Sequence, residues 1–341
     1  MRIALDATYS LGDALSGVGV YSRELMNGLA ASGFAEGWDW FYRSPRYWRT
    51  LFRKVPPNVR IRLLSSDKGD RTVPLFHGLN QRLPELRFPK QIATFHDLFV
   101  LSGDYSTPEF RERFAAQARA AAAAADLIIA VSAFTASQVE HYLNVPSSRI
   151  RVIPHGVVPR QIPDIPREKV ILCVGAIQRR KNQAALVHAF RAAPSDWTLV
   201  LAGSNGYEAK AALTEIANSP ARDRIKITGY LPDHEIARWY AKASIFAFPS
   251  FDEGFGMPVL EAMAAGVPVI AGNRSALPEV CGDAAILVDP ANDEELANAI
   301  ELLTGDEGSR RKMVTSGKIH AGRFRWENAA QATIAVYKEL R

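Results

Sequence analysis

Two glutamates, Glu253 and Glu261, stand eight positions apart in the segment SFDEGFGMPVLEAMAAGVPVIAG. Gly254 and Gly256 lie between them, and glycine permits positive φ angles and a close approach of a ligand to the main chain. We predict that Glu253 projects from a loop that follows a strand, and that Glu261 lies one turn into the next helix. A helix N-terminus suits a phosphate, and a neighbouring carboxylate suits a diol such as ribose. The alternative is that Glu261 only complements the helix dipole and Glu253 is a solvated loop residue.

A basic run of three residues follows the apolar strand candidate VILCVGA. It consists of Arg179, Arg180 and Lys181. Fixed cations can neutralise a phosphate leaving group as it gains negative charge. The other common solution is a metal held by an Asp-x-Asp motif, and the sequence contains no such motif. We therefore predict that a diphosphate is neutralised here without a metal; the alternative is a solvated loop.

Strand and helix patterns alternate along the chain and would position these residues. The Pro-rich stretch VVPRQIPDIPREK separates two such series, which indicates a linker. Apolar strands that alternate with helices predict parallel sheets covered on both faces. We therefore predict an α/β protein with two facing, doubly wound, Rossmann-like domains and a ligand cleft between them, at the carboxyl ends of the strands.

Composition and charge narrow the function classes. The 341 residues suffice for two domains, and the net charge of +5 arises wholly within residues 1–165, which hold 20 Lys+Arg and 15 Asp+Glu. A basic half suits an anionic membrane, nucleic acid or a phosphorylated acceptor, but no nucleic-acid recognition motif is present. Cys173 and Cys281 are expected to be buried free thiols. The N-terminus lacks a signal-peptide pattern and no apolar run reaches about 20 residues, so we expect a cytoplasmic location.

Basic and aromatic residues alternate in the segment FYRSPRYWRTLFRK. Its cations run from Arg43 to Lys54, and Trp48 and Phe52 lie among them. This mixture suits peripheral contact with the inner face of a membrane. The alternative is an exposed loop with a partly buried aromatic side.

Taken in order, several motifs resemble those of retaining glycosyltransferase family 4, which has the GT-B fold. The central one is Glu, seven residues, Glu, with GFGMPVLEAMA between and just after. The others are DALSGVGVYSRELMNGLA, TFHDL, VIPHG, VGAIQRRKNQAALVHAF and RFRWENAAQATIAVYKEL. His155 replaces the usual Asn of VIPNGV, and Arg179 replaces a common proline, so that turn can differ. The RKN form resembles bacterial mannosyl- and deoxyhexosyltransferases of polysaccharide assembly.

The resemblance implies roles for the two halves of the chain and for particular residues. Residues 1–157 would form an acceptor-binding domain joined by the final helix, about 325–341, and residues 158–324 would bind the donor. His96, Glu253, Arg180 and Lys181 would be catalytic. The donor-binding set would be Gly17, Gly19, Thr228, Gly229, Tyr230, Gly254, Phe255, Gly256, Met257 and Glu261.

The implied reaction is transfer of a hexose from a nucleotide sugar, with retention of configuration and no metal. Mannose from GDP-mannose is the first choice of donor, and a glycan or polyprenyl-diphosphate-linked glycan is the expected acceptor. A UDP- or dTDP-sugar donor remains an alternative. So do a GT-B-like nucleotide-sugar epimerase, a sugar-binding protein without turnover and a nucleic-acid binder, the last of which a steep salt dependence would reveal.

Overall fold

A computed structural model describes residues 2–12, 15–44, 46–50, 53–64, 73–85, 87–158 and 160–340. The chain divides into two compact units, which are described separately below. Unit 1 comprises Met1–Ser102, Pro108–Gly156 and Arg325–Arg341, and unit 2 comprises Gly103–Thr107 and Val157–Phe324. The C-terminal segment therefore groups with the N-terminal part of the chain.

Each unit is built on one parallel sheet. Unit 1 contains β1 (Arg2–Asp6), β2 (Gly37–Arg43), β3 (Val59–Leu64), β4 (Leu75–Gly78), β5 (Lys90–Phe95), β6 (Leu127–Ala130) and β7 (Ile150–Val152), in the order β3-β2-β1-β4-β5-β6-β7. Unit 2 contains β8 (Val170–Val174), β9 (Thr198–Ala202), β10 (Ile225–Ile227), β11 (Ile245–Phe248), β12 (Val269–Gly272) and β13 (Ile286–Val288), in the order β10-β9-β8-β11-β12-β13. All neighbouring pairs run parallel. The predicted doubly wound α/β architecture of each half is confirmed.

Helices connect these strands. They are α1 (Gly17–Ala31), α2 (Phe99–Ser102), α3 (Pro108–Ala124), α4 (Ala133–Leu143), α5 (Gln183–Ala189), α6 (Lys210–Asn218), α7 (Asp233–Lys242), α8 (Met257–Ala264), α9 (Leu277–Cys281), α10 (Asp293–Gly305), α11 (Glu307–Ala321) and α12 (Trp326–Glu339). Local chemistry explains several starts: the Ser132 hydroxyl accepts from the Thr135 N–H in α4, and the Asn292 side chain caps α10. Within the described ranges, none of these helices is long and apolar enough to traverse a bilayer.

The alternating strands and helices expected from the sequence are present, but its patterns did not indicate strand β2. Its sequence, GWDWFYR, buries Trp38, Trp40 and Tyr42 between β1 and β3. Asp39 is also buried and binds Arg2 on β1 at 2.5 Å, while Arg43 binds Asp6 at 3.1 Å. Because these carboxylates find their partners on the neighbouring strand, a segment that looks polar and aromatic is an interior strand.

A buried polar chain ties helix α12 to the sheet of unit 1. The Tyr21 hydroxyl lies 3.0 Å from Thr94 Oγ1, which lies 2.8 Å from His77 Nε2. The other ring nitrogen, His77 Nδ1, lies 2.7 Å from the Tyr337 hydroxyl on α12. Burial lowers the pKa of His77 to about 3, so the ring is neutral at pH 7 and both nitrogens need a partner. His77 therefore has a structural role.

We expect Tyr337→Phe to destabilise unit 1, because it leaves one nitrogen of buried His77 unpaired. Loss of a partner from a buried polar group costs about 1–3 kcal/mol. Hydrogen exchange of α12 and β4 peptides in the full chain measures the effect. Tyr142→Phe is the matched control, because its hydroxyl has no partner among the described residues. Equal protection in the two variants would contradict a stabilising role for the His77 contact.

Candidate functional site

A buried cluster of one carboxylate and two cations lies in unit 2. Lys181 Nζ is 2.5 Å from Glu253 Oε1, and Arg180 Nη1 is 3.1 Å from Glu253 Oε2. The cations follow β8 and the carboxylate follows β11, and because these strands are adjacent and parallel their following loops meet at one edge of the sheet. All three residues are buried, so the solvated-loop alternative is wrong for them.

The three charges determine one another's protonation. Burial alone would raise the pKa of Glu253, but the nearby charges of Arg180 and Lys181 together outweigh burial and lower it. Burial lowers the pKa of Lys181, and the Glu253 carboxylate opposes that decrease. The Lys181 ammonium also lies 4.5 Å from the centroid of the Phe248 ring. With the carboxylate ionised and both bases protonated, the cluster carries one excess positive charge.

The backbone around the two cations explains the Arg-Lys-Asn order. Arg179–Lys181 form one turn of 3-10 helix that ends at Asn182, whose φ of 56° lies in the left-handed region that Asn tolerates better than most residues. The Asn182 side chain donates to the Pro290 carbonyl at 2.6 Å. The Arg179 N–H donates to the Tyr207 carbonyl at 3.2 Å, and proline could not make this bond. Arg179 in place of proline therefore gives the turn an additional anchor.

The second side of the site is the loop that leads into helix α8. The Glu253 N–H donates to Ser275 Oγ at 3.0 Å, which holds the glutamate backbone. Gly256 precedes α8 with φ 105°, and a Cβ there would lie 2.7 Å from a Leu277 methyl group, so the position requires glycine. Gly254 and Phe255 are buried in this loop, and Met257 is the first helical residue. Helix α8 thus begins four residues after Glu253.

Glu261 has two protein partners that the sequence did not reveal. Its Oε1 lies 2.9 Å from Arg160 Nη2, and its Oε2 accepts from the Tyr240 hydroxyl at 3.1 Å. Arg160 Nη1 also binds Asp233 at 3.0 Å. The Arg160 contact joins residues 101 positions apart, so no local pattern could have identified it. Glu261 therefore does more than complement the dipole of α8.

Three residues of the predicted donor-binding set follow β10. Thr228 donates through its hydroxyl to the Gly229 carbonyl at 2.9 Å, and Gly229 has a φ of 70°. Tyr230 is exposed. Since β9 lies between β10 and β8, this loop is two strands away from the loop that carries Arg180. It belongs to the same unit as the charge cluster but not to its immediate surroundings.

His96 belongs to unit 1 and is buried after β5. Its Nε2 lies 2.9 Å from the Leu79 carbonyl oxygen, so this nitrogen is the donor. The Tyr21 ring packs edge-on against it, with centroids 4.6 Å apart. Burial lowers the pKa of His96 to about 4 despite the bond to Leu79. The ring is therefore neutral at pH 7, with Nδ1 as its acceptor.

The predicted glycine loop of unit 1 is the first turn of helix α1. Gly17 is its first residue and is exposed, and Ser16 caps the helix. Gly19 is buried, and a Cβ at that position would lie 2.8 Å from the Tyr9 carbonyl oxygen. Close packing is thus sufficient reason for glycine at position 19.

Unit 1 also contains a cavity of about 1000 Å³. Phe110 and Phe114 of α3 form part of its apolar wall, and Arg113 lies among them. Asn80 and Gln81, which follow β4, also line it, and their side-chain oxygens are buried without a partner among the described residues. Unpaired buried acceptors beside aromatic rings suit a polyhydroxylated ligand, which supplies both O–H donors and C–H faces.

At the candidate site of unit 2, the positive charge comes from two side chains and from the N-terminus of a helix. Across the part of the chain that the structure describes, no group of three or more His, Cys, Asp or Glu residues is arranged to bind a metal ion. The groups that can meet a phosphate are Arg180, Lys181 and the start of α8. The arrangement can bind an anionic ligand beside an ionised carboxylate.

Comparison with known proteins assigns the family. Residues 15–161 match the family model Glycosyltransferase Family 4, and residues 159–320 match the family model Glycosyl transferases group 1. O-antigen chain mannosyltransferase B from Escherichia coli is 33% identical over 285 residues, covering 78% of this chain and 74% of that protein. The serotype-specific mannosyltransferase WbdA from Escherichia coli is 29% identical over 274 residues, covering 74% of this chain but only 34% of that longer protein.

A solved structure supports the same conclusion for the fold. Sucrose-phosphate synthase from Thermosynechococcus elongatus matches with a TM-score of 0.77 and 23% identity, covering 99% of this chain and 98% of that one. The predicted GT-B fold and the predicted family are thus confirmed. The chain belongs to the glycosyltransferases that combine a family 4 domain with a group 1 domain, and it is a hexosyltransferase.

Proposed function

We propose that this enzyme transfers mannose from GDP-mannose to a glycan or lipid-linked glycan during assembly of a cell-surface polysaccharide, with retention of configuration and without a metal ion. The observation that carries the proposal is the buried cluster of Arg180, Lys181 and Glu253, with its excess positive charge. The names of the two similar Escherichia coli mannosyltransferases support mannose.

In the proposed reaction, the bond between the sugar C1 and the β-phosphate oxygen breaks, and its electron pair stays on that oxygen. The phosphate therefore gains negative charge as the transition state is approached. Arg180 and Lys181 stabilise this charge, and the N-terminus of α8 adds a partial positive charge. Glu253 contacts the sugar and keeps both cations oriented before the donor binds.

The acceptor oxygen forms its new bond on the same face of the sugar that the phosphate leaves. Its proton passes to the departing phosphate oxygen, so GDP forms and the configuration at C1 is retained. His96 supports the sugar as a neutral hydrogen-bonding group, since burial lowers its pKa to about 4. Its Nδ1 can accept from a sugar hydroxyl.

The nucleoside part of the donor is assigned to Glu261 and to the loop after β10. Glu261 accepts from the two ribose hydroxyls, and Thr228, Gly229 and Tyr230 contact the base. The main chain at Gly254–Met257, near the start of α8, contacts the sugar and diphosphate. Gly17 and Gly19 of unit 1 are assigned to donor binding by the resemblance to family 4, although packing alone accounts for Gly19.

The acceptor is assigned to the cavity of unit 1. Asn80 and Gln81 would accept from sugar hydroxyls, while Phe110 and Phe114 would pack against the ring faces. Arg113 adds positive charge at this wall, which favours an acceptor that carries phosphate.

Several cations of the segment FYRSPRYWRTLFRK have partners within unit 1. Arg43 binds Asp6, Arg46 donates to the Leu11 carbonyl and Arg53 donates to the Tyr42 hydroxyl, so these cations have partners inside unit 1. Phe52, which was predicted to add apolar contact, lies outside the described residues. The part of the segment left for lipid is Trp48, 60% exposed, with the exposed Arg49 and Lys54. We propose that these three contact the inner face of an anionic membrane.

A turnover screen of nucleotide sugars tests the proposed function. We expect GDP release from GDP-mannose in the presence of a glycan acceptor, and the same rate after EDTA treatment, because Arg180 and Lys181 supply the neutralising charge. Product analysis by NMR should give the anomeric configuration of the donor. Release of UDP or dTDP would show that the donor is not GDP-mannose. A product with inverted configuration would contradict the same-face mechanism. Activity that is lost in EDTA and restored by Mg²⁺ would contradict metal independence. Donor epimerisation without transfer would favour the epimerase alternative.

Removal of either buried cation should lower kcat more than donor affinity. We expect Arg180→Ala or Lys181→Met to reduce kcat about 10²–10³-fold, because the lost interaction strengthens only as the phosphate gains charge. Arg179→Ala is the matched control from the same turn, because its side chain is exposed and its ion pair among the described residues is with the exposed Glu208. A loss in Arg179→Ala equal to that in the other variants would show that the turn, and not the buried charge, matters.

Vesicle sedimentation tests the membrane contact. We expect Arg49→Gln/Lys54→Gln to bind anionic vesicles about 30-fold more weakly than the parent, since each cation near such a surface contributes about 1 kcal/mol. Trp48→Ala should also weaken binding, through lost apolar contact. Arg87→Gln/Arg119→Gln removes two exposed charges elsewhere on unit 1 and should change binding less. A parent protein that does not sediment with vesicles, or equal losses in both double variants, would refute this surface.

A further inference from the structure

Arg160 joins two helices of unit 2 through one side chain. It lies in the Pro-rich stretch before β8, and its two terminal nitrogens bind different carboxylates. Nη2 is 2.9 Å from Glu261 Oε1 on α8, and Nη1 is 3.0 Å from Asp233 Oδ1 at the start of α7. The planar guanidinium presents donors in a fixed geometry, so one residue can hold both carboxylates at once.

The two ion pairs differ in their surroundings. The Asp233 side chain is 79% exposed, whereas the Glu261 side chain is 14% exposed. Exposed ion pairs contribute little because water screens them. We therefore expect the contact with Glu261 to contribute more than the contact with Asp233.

The partners of Glu261 leave part of its hydrogen-bonding capacity unused. An ionised carboxylate has about four acceptor positions, two on each oxygen. Arg160 uses one on Oε1, and the Tyr240 hydroxyl uses one on Oε2. Tyr240 is buried, and its hydroxyl lies 3.1 Å from Glu261 Oε2 and 3.3 Å from the Pro258 carbonyl oxygen, so the carboxylate is the nearer of its two acceptors. Among the described residues nothing else is hydrogen-bonded to this carboxylate, so one position on each oxygen remains, and contacts on both sides orient the carboxylate plane.

We propose that Arg160 is a positioning residue which, together with Tyr240, orients the Glu261 carboxylate so that each oxygen accepts from one of the two adjacent hydroxyls of the donor's ribose. This inference rests on the proposed role of Glu261 as the ribose ligand. Arg160 itself does not touch the nucleotide. Its effect is confined to the part of the affinity that depends on the ribose hydroxyls.

Calorimetry with two nucleotides measures the part of the affinity that depends on the ribose hydroxyls. The ligands are GDP and 2′,3′-dideoxy-GDP, or the corresponding UDP pair if the turnover screen selects UDP. The ratio of their affinities measures the contribution of the two hydroxyls. In the parent we expect a ratio of roughly tenfold to a hundredfold, and in Glu261→Ala a ratio near one. In Arg160→Ala we expect the ratio to fall by roughly fivefold to tenfold while the affinity for dideoxy-GDP stays the same.

Three further variants separate positioning from folding. Arg160→Lys keeps the charge, but a single ammonium nitrogen replaces the two terminal nitrogens that bind the two carboxylates. Its affinity ratio should therefore lie between those of the parent and Arg160→Ala. Asp233→Asn breaks only the exposed contact and should leave the ratio close to that of the parent. Tyr240→Phe removes the other donor to Glu261 and should lower the ratio. Equal melting temperatures would show that the variants are folded.

The outcomes distinguish this proposal from the one on which it rests. A parent ratio near one, or an unchanged ratio in Glu261→Ala, would remove Glu261 as the ribose ligand and this inference with it. A normal loss in Glu261→Ala with an unchanged ratio in Arg160→Ala would overturn only the positioning role. Tighter binding of GDP by Arg160→Ala would also overturn it, because Arg160 would then compete with the ribose.

Discussion

The ion pairing of Glu253 with Arg180 and Lys181 is the interaction on which the functional edge of unit 2 depends. A buried carboxylate is costly unless it is paired, and loss of one partner from such a pair typically costs about 3–5 kcal/mol. Here the pairing joins the loop after β8 to the loop after β11, so the positions of both loops follow from one electrostatic requirement. Counted over these three side chains alone, two cations and one carboxylate give a net charge of +1.

Around this cluster, backbone geometry and side-chain contacts fix the neighbouring elements. Asn182 ends the basic turn in a left-handed conformation and binds the Pro290 carbonyl, while Gly256 admits the chain into α8. The two glutamates of the segment then have separate environments. Glu253 is neutralised by cations after β8, and Glu261 is held by Arg160 and Tyr240. The two carboxylates of one short stretch of chain thus have separate sets of partners.

Unit 1 uses buried polar groups in a different way. His77 and His96 are both buried, and burial lowers the pKa of each, so neither contributes a positive charge at neutral pH. His77 is saturated by Thr94 and Tyr337, whereas the Nε2 of His96 binds a main-chain carbonyl. Two histidines at similar depths therefore differ in role because their hydrogen-bond partners differ.

The sequence by itself determined the parallel α/β architecture, the family, the start of α8 and the basic turn, because strand periodicity, glycine at positive φ and proline in a first helical turn act within a few residues. It did not reveal β2, whose polar residue Asp39 is paired by Arg2 on a neighbouring strand. Nor did it show that Arg180 and Lys181 are buried with Glu253, or that Arg160 binds Glu261. Each of those contacts joins residues at least 72 positions apart, so only the packing of the tertiary structure decides them. A charge in the sequence has no partner until the tertiary structure supplies one, and the partner sets both its burial and its protonation.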